Sequence, residues 1–482
     1  MNADSPPRLL SPCSALTPEG AIAHTHWQSQ IHDPCLKNSK SRGLLISCIL
    51  SVWTSHASAD NLVDVYRKAQ ARDPVYRAAT HALRAVLERV PQARSALLPA
   101  VNLVSSNSKQ TGLASFNDAA NLERRVNSWN WNLQITQPLW RAASWVSLNQ
   151  AEQQELLARS QYQLAEQDLM LRVAQSYMDV LVAQEAARVA LLQVSSVEQQ
   201  LGLARRNFEV GTATVTDVHE AQSRLDLSRA QAVAARSEVD IKSAELARIL
   251  GDQRQVLSRL NDSGRLPALQ PENVQSWADS AREQSLQVRI AQTALEVAEH
   301  EIIKNQAAHS PSLDLTAGYG RNFASGTVSS PADISTRVRS SQVGLSLSVP
   351  LYAGGSVQAR VREAIALKDK SEEDLEAARR QAVTQARQAF SGVVNGQAQV
   401  DALASAIFSS KSAVDANKIG YRIGTRINID VLNAEQQLYA AQRDWHKARV
   451  DTLMQGLRLK AANATLAETD LHSINNLLES NK

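Results

Sequence analysis

A short pattern around Gly211 recurs around Gly424, and this internal repeat constrains the fold more than any other feature of the chain. Every paired position keeps the same spacing, so the two copies stay in register throughout. The first copy contains Phe208, Val210, Gly211, Thr212, Asp217, Val218, Ala221 and Leu225. The second contains Tyr421, Ile423, Gly424, Thr425, Asp430, Val431, Ala434 and Leu438.

A second stretch repeats at almost the same interval. The motif Gln137-Pro138-Leu139-Trp140 returns as Val349-Pro350-Leu351-Tyr352, and Pro99 returns as Pro311. Self-similarity at a fixed period is the sequence signature of a repeated structural unit. The chain is therefore predicted to be a duplicated unit of roughly two hundred residues.

The composition favours long helices over compact globular domains. Aromatic residues make up 4% of the 482 residues, and Gly and Pro number 18 and 14. Ala, Gln, Leu, Arg and Glu dominate long stretches, as in extended helices that pack through small and aliphatic side chains. The formal charge of +3 gives no electrostatic footprint for nucleic acid, so nucleic-acid binding is set aside.

The N-terminal residues 1–59 are interpreted as a leader with an export signal. Basic residues precede an apolar run over 44–53, and Ala57-Ser58-Ala59 before Asp60 has the pattern of a cleavage site. The run is too short to cross a bilayer as a helix, although a short anchor is an alternative. Residues 1–36 are either a long leader or sequence upstream of the true start.

The cysteines agree with export. Cys13, Cys35 and Cys48 all precede Asp60, so cleavage after Ala59 would leave no cysteine in the mature chain. Lipidation at Cys48 is the main alternative, but only residues 43–47 would then separate Arg42 from the cut.

Two long helical hairpins are predicted. Residues 141–201 contain neither Gly nor Pro, and their apolar residues recur at helical spacing. Glycines at 211 and 424 would end the first arm of each hairpin, and a return helix follows each one. The predicted segments are 60–98, an N-terminal helix; 99–140, strands; 141–251, the first hairpin; 252–275, irregular; 276–310, a helix; 311–352, strands; 353–466, the second hairpin; and 467–482, a tail.

The strand segments have one apolar and one polar face. Trp129, Trp131, Leu133 and Ile135 alternate with polar residues, and Val343, Leu345 and Leu347 do the same in the second repeat. A soluble sandwich would need more strands than these to bury an apolar face. An outer-membrane barrel, in contrast, requires this alternation of apolar and polar residues. Trp129, Trp131, Trp140 and Tyr352 are candidates for the aromatic girdles at the membrane interfaces.

Four strands cannot close a barrel alone, because small closed barrels need about eight. The chain must therefore assemble with further copies. Three copies would supply about twelve strands and about six hairpins, while two or four copies remain arithmetically possible.

These residues resemble the TolC family of outer-membrane channels. The resemblance rests on the prolines beside the strands, on Val210-Gly211 and Ile423-Gly424-Thr425-Arg426 at the turns, and on Asp430-Val431-Leu432-Asn433, and it covers residues 60–477. It implies a mainly α-helical protein with a transmembrane β portion. A homotrimeric β-barrel of four strands per chain would continue as an α-helical hairpin tunnel in the periplasm.

The resemblance also implies partners but no cofactor. A periplasmic membrane-fusion adaptor, an inner-membrane transporter of the ABC type, outer-membrane lipid and an exported cargo are expected. Similarity to members that serve type I secretion of haemolysin- or cyclolysin-type toxins favours protein export, with a multidrug efflux duct as the alternative. A periplasmic coiled-coil adaptor is a weaker rival, since it would lack two-faced strands.

Functional residues are carried over at the hairpin tips. Asp430 and Asn433 match the acidic pore constriction of the family, although Asn433 would make the second ring neutral. Tyr421 and Arg426 match residues that close the channel, with Thr216 and Asp217 as acceptors. The expected adaptor-docking tips are Val210, Gly211, Thr212, Ile423, Gly424 and Thr425.

No catalytic constellation or metal-binding spacing is recognised in the sequence. The histidines are leader residues or isolated residues such as His219 and His446 on helix surfaces. Any energy for transport must come from a partner.

Overall fold

The structure is a computed structural model that describes residues 60–116, 120–251, 256–261, 264 and 266–479. The predicted export signal, with its alternatives at Ala59 and Cys48, lies outside the described residues. In chain order the elements are α1 (Leu62–Arg72), α2 (Pro74–Leu87), α3 (Arg89–Ser95), β1 (Ala100–Ala114), β2 (Leu122–Arg141), α4 (Ala142–Glu209), α5 (Val215–Leu250), α6 (Val274–Gln284), α7 (Leu286–Ala307), β3 (Ser312–Ala324), β4 (Thr336–Ser348), α8 (Ser356–Arg422), α9 (Asn428–Ala462) and α10 (Glu468–Asn475).

Three predicted segments differ from the structure. Residues 60–98 form three helices, because Pro74 forces the preceding Asp73 into an extended conformation and Asp73 then caps α2 through the Tyr76 amide. The helix predicted over 276–310 is divided at Ser285, which has ψ 137°. The segment predicted as a C-terminal tail contains α10.

The first hairpin consists of α4 and α5. At 68 residues, α4 is about 100 Å long. The chain reverses after Glu209 through Gly211, whose φ of +78° is readily adopted only by glycine. The return helix begins with a capping box, in which Thr214 and Asp217 satisfy each other's backbone amides.

The second hairpin, α8 and α9, repeats this turn. Gly424 has φ +79°, and the Thr425 amide donates to the Gly420 carbonyl just as the Thr212 amide donates to the Asn207 carbonyl. The duplication seen in the sequence is therefore a duplication of backbone geometry at both tips.

The four strands form one antiparallel sheet in the order β1-β2-β3-β4. Pairing of β2 with β3 joins the two repeats, with an irregularity between Pro138 and Trp140. The register places Leu103, Leu133 and Tyr319 in one row and Val101, Ile135 and Ala317 in the next, all on one face. Their neighbours along each strand are mostly polar, so the sheet has two unlike faces.

The largest apolar core lies where the middle of α4 meets α1, α5, α9 and α10. Tyr66, Val173, Tyr177 and Leu471 are among its buried members. The Tyr177 hydroxyl donates to the Ser258 carbonyl at 2.9 Å, which attaches the irregular segment to this core. One 18-residue window in α4 has a mean hydropathy of 1.3, a value that packed core helices share with membrane spans.

We expect Gly396→Ala to destabilise the second hairpin. A Cβ at this position of α8 would collide with the Thr452 hydroxyl of α9, which is buried and donates a hydrogen bond to the Ala448 carbonyl. Such overpacking costs about 1–3 kcal/mol, so the thermal unfolding temperature followed by circular dichroism should fall. Gly456→Ala is the matched control, because nothing lies within 4 Å of a Cβ there. Equal unfolding temperatures for the two variants would contradict the close contact of α8 with α9.

Candidate functional site

The two tips present similar exposed groups at one end of the helical hairpins. Val210 and Ile423 precede the positive-φ glycines and are 72% and 69% exposed. Gly211, Thr212 and Gly424 are also exposed. Each tip therefore offers an apolar β-branched side chain beside a glycine turn, with room for another protein to approach the backbone.

Arg426 lies against the end of its own hairpin. Its guanidinium is 3.8 Å from the Asp430 carboxylate, one helical turn further along. Its Cγ is 2.7 Å from the point that a Cβ on Gly420 would occupy, so Gly420 provides the space for this side chain. Both charged groups are partly exposed, and an ion pair of this kind contributes little to stability.

Tyr421 connects the two hairpins through a residue that sequence reasoning did not find. Asn207 Nδ2 of α4 donates to the Tyr421 hydroxyl of α8 at 3.0 Å. Within the single chain the partner of Tyr421 is therefore Asn207 rather than the expected Thr216 or Asp217. Among the described residues, no hydrogen bond within the chain joins Tyr421 or Arg426 to Thr216 or Asp217, because Asp217 is engaged in capping α5.

Asn433 forms part of a second connection. Arg224 of α5 donates to Asn433 Oδ1 at 3.0 Å and to Gln436 Oε1 at 2.7 Å, both on α9. Asn433 is three residues from Asp430, so the two project from adjacent positions of one helix face. Its amide is held by the first hairpin, while Asp430 faces Arg426.

Glu435 forms a third and more buried connection. Its side chain is 2% exposed, and Oε1 accepts from Ser196 of α4 and pairs with Lys418 of α8, both at 2.7 Å. Three helices from both hairpins therefore meet at one carboxylate. A buried carboxylate is stable only when it is hydrogen-bonded or paired, so this contact depends on correct placement of all three.

An apolar cluster lies beneath these polar contacts. Leu432 of α9 inserts among side chains of α4 and α5. The buried residues that surround it are Val197, Leu201, Ala204, Ala221 and Leu225. The inter-hairpin contacts, which we define as Asn207–Tyr421, Arg224–Asn433 and Ser196–Glu435–Lys418, thus surround an interface that already excludes water.

The predicted girdle residues lie at opposite ends of the apolar strip on the sheet. Trp129 and Trp131 lie near the middle of β2, where its apolar alternation stops on the side away from the helices, and Trp131 makes an edge contact with Tyr319 at 5.6 Å. Trp140 is at the end of β2 next to α4 and is 55% exposed, and Tyr352 follows β4 at 85% exposure. The strip between them carries the apolar side chains of all four strands.

Within the part of the chain that the structure describes, no group of three or more His, Cys, Asp or Glu residues could hold a metal ion. A histidine–carboxylate pair joins Glu185 of α4 to His446 of α9 at 3.0 Å. Burial raises the pKa of Glu185, but hydrogen bonds from His446 and Arg188 outweigh burial and lower it to about 2. This pair joins the arms of the two hairpins far from the tips.

The family model described as outer membrane efflux protein matches residues 65–252 and 277–465, one match in each repeat. The chain belongs to this family. It is 31% identical over 434 residues to outer membrane protein TolC of Vibrio cholerae, covering 90% of this chain and 97% of the relative. It is 30% identical to alkaline protease secretion protein AprF of Pseudomonas aeruginosa, and the match covers 89% of this chain and 90% of that relative.

Solved structures show the same fold at low identity. The CmeC outer membrane channel of Campylobacter jejuni gives a TM-score of 0.72 at 16% identity and covers 92% of this chain and 98% of that one. The open state of the MtrE outer membrane channel of Neisseria gonorrhoeae gives a TM-score of 0.68 at 18% identity. The match covers 85% of this chain and 91% of that one. The expected family and fold class are confirmed.

The channel protein is thus an outer-membrane export duct whose helical part extends into the periplasm. Its sheet supplies the membrane portion, and its hairpin tips lie at the opposite end of the long helices. This family is one of channels rather than of enzymes. The inter-hairpin contacts lie in the helical turns next to these tips.

We expect Lys418→Met to destabilise the junction of α4, α8 and α9 around Glu435. The variant leaves the buried Glu435 carboxylate with Ser196 alone, at a cost of about 1–3 kcal/mol. Lys370→Met is the matched control, since its ion pair with Asp374 is exposed on both sides and contributes less than about 1 kcal/mol. Thermal unfolding in detergent measures both, and an equal shift for the two variants would show that Glu435 carries no special weight.

Proposed function

We propose that three copies of the chain form one closed barrel and one tunnel. The observation that carries this proposal is the four-stranded sheet, whose outer strands β1 and β4 each pair on one side only within the chain. Unpaired backbone groups are too costly in lipid, so neighbouring copies must pair β1 with β4. Three sheets give about twelve strands, enough for a closed barrel with an open interior.

The duct serves protein export in this proposal. The relatives near 30% identity include AprF and the proteases secretion protein PrtF of Dickeya chrysanthemi, which is 29% identical. The efflux protein BepC of Brucella suis matches at 25% over 67% of the chain, which supports small-molecule efflux as the second candidate. A periplasmic adaptor and an inner-membrane transporter of the ABC type would supply recognition of cargo and energy.

The tips dock the adaptor. Val210-Gly211-Thr212 and Ile423-Gly424-Thr425 combine exposed apolar side chains with open backbone, which suits a partner that packs closely against a turn. Because no cysteine follows Cys48, single-cysteine variants at Thr212 and Thr425 can be cross-linked to a co-expressed adaptor. We expect adducts from both positions and none from Ala234→Cys, an exposed site in the middle of α5; equal yields from all three would exclude tip docking.

The inter-hairpin contacts hold the passage closed. Tyr421 and Arg426 belong to the second hairpin, which must separate from the first if the tips are to open outward. The Tyr421 hydroxyl accepts a hydrogen bond from Asn207, and Asn433 accepts one from Arg224. Opening therefore requires breaking hydrogen bonds of about 1 kcal/mol each and separating an apolar patch. The resulting free-energy difference between the closed and open states is small enough for binding of a partner to overcome.

Combining Tyr421→Phe with Arg224→Ala should favour the open channel. Losing two contacts of about 1 kcal/mol shifts the closed-to-open equilibrium by about tenfold or more, so single-channel conductance in planar bilayers should rise. Arg229→Ala is the control, because Arg229 pairs with Glu198 inside the first hairpin and does not connect the two. Unchanged conductance in the double variant would reject the lock, whereas no conductance in the wild type would reject the channel itself.

Asp430 forms the acidic ring of the constriction in the assembled trimer. Three carboxylates around an axis attract cations, and Asn433 leaves the adjacent ring neutral. Asp430→Asn should lower the cation-to-anion permeability ratio, and Asn433→Asp should raise it, as measured from reversal potentials in a salt gradient. Identical reversal potentials for all three proteins would place the constriction elsewhere.

A further inference from the structure

A group of cations lies on the apolar face of the sheet, at the end farthest from the helices. The strand register pairs Trp131 with Arg321 and Arg321 with Arg339, which forms one row across β2, β3 and β4. The next row outward contains Trp129, Phe323 and Arg337. Lys109 of β1 follows one row further, paired with Asn127.

These cations share a face with the apolar strip. Side chains two residues apart in a strand point to the same side, so Arg321 and Phe323 lie on the side of Tyr319, and Arg339 lies on the side of Val343. In a membrane barrel the apolar side faces lipid and the polar side faces the lumen. The cations therefore face outward at the rim of the apolar strip, beside aromatic side chains that favour the headgroup layer.

Their charges are uncompensated within the described part of the chain. Arg321, Arg337, Arg339 and Lys109 are exposed, and none of them forms an ion pair with a described carboxylate. Arg337 lies over the Phe323 ring at 5.4 Å, which orients its guanidinium without neutralising it. Two described carboxylates at this end of the sheet, Glu123 and Asp333, are already paired with Arg125 and Arg124.

Guanidinium groups at this depth need an anion that also presents acyl chains to the apolar strip. Phosphate matches the planar donor fork of arginine, and two arginines facing each other across β3 and β4 can hold one phosphate between them. This rim is at the end of the barrel away from the periplasmic helices, so it faces the outer leaflet.

We propose that Arg321, Arg337, Arg339 and Lys109 form a binding site for the phosphate groups of an outer-leaflet glycolipid of the lipid A type. The inference rests on the barrel orientation of the proposed function, and it adds a specific anionic ligand on the lipid-facing surface. The aromatic rows at Trp129 and Trp131 provide the apolar contact for the acyl and sugar parts of this lipid.

The test compares lipid binding to the purified protein by native mass spectrometry, with bisphosphorylated lipid A as the probe. We expect the triple variant Arg321→Gln, Arg337→Gln, Arg339→Gln to bind lipid A with an affinity lower by about tenfold or more. The reason is that each cation near an anionic lipid surface adds to the free energy of binding. The control carries the same loss of charge on exposed helical cations, as Arg77→Gln, Arg84→Gln, Lys411→Gln, and should bind like the wild type.

Further arms identify the ligand and separate this site from the channel function. Dephosphorylated lipid A should bind the wild type as weakly as bisphosphorylated lipid A binds the triple variant. Equal affinity of the wild type and the triple variant for lipid A would overturn the proposal, and so would inorganic phosphate binding as tightly as the lipid. Conductance of the triple variant in bilayers free of lipid A should equal that of the wild type, so a failure of the channel and a failure of the lipid site give different results.

Discussion

Backbone hydrogen bonding at the two outer strands of the sheet is the constraint on which the rest of the structure depends. The chain supplies β1 to β4 in one antiparallel sheet, and within the chain β1 and β4 each have one unpaired side. A membrane does not tolerate open edges, because lipid offers no hydrogen bonds to them. Assembly is therefore a condition of folding in this environment, and the long hairpins that continue from the sheet are brought together by the same closure.

The duplication provides two similar hairpins, and the differences between the copies create the contacts between them. Asn207 occupies the position that Gly420 has in the second repeat, and Glu435 occupies the position of Gln222 in the first. Asn207 donates a hydrogen bond to Tyr421. Gly420 leaves space for the side chain of Arg426. Glu435 accepts a hydrogen bond from Ser196 and pairs with Lys418. An exact repeat would have two equivalent hairpins with no such complementary pairs.

Periodic and local features of the structure could be predicted from the sequence. The helical spacing of residues 141–201 and the alternation from Trp129 to Ile135 follow from the geometry of single elements. The partners of Tyr421 and Asn433 could not be predicted, because they depend on how α4 and α5 lie against α8 and α9. Thr216 and Asp217 were expected as acceptors for Tyr421 and Arg426; within the chain Asp217 exchanges hydrogen bonds with the nearby Thr214 in the capping box.

A difference in helix capping supports the proposal that the second hairpin is the one that moves. In the first copy Thr214 and Asp217 cap α5 reciprocally, an arrangement that contributes about 1 kcal/mol or more to the start of that helix. The repeat places Ile427 where the first copy has Thr214, and α9 begins without a side-chain cap. Asp430, the counterpart of Asp217, is thereby free to pair with Arg426. The first tip is fixed by its own capping box, whereas the second lacks one, so in the proposed opening α8 and α9 would move while α4 and α5 stay in place.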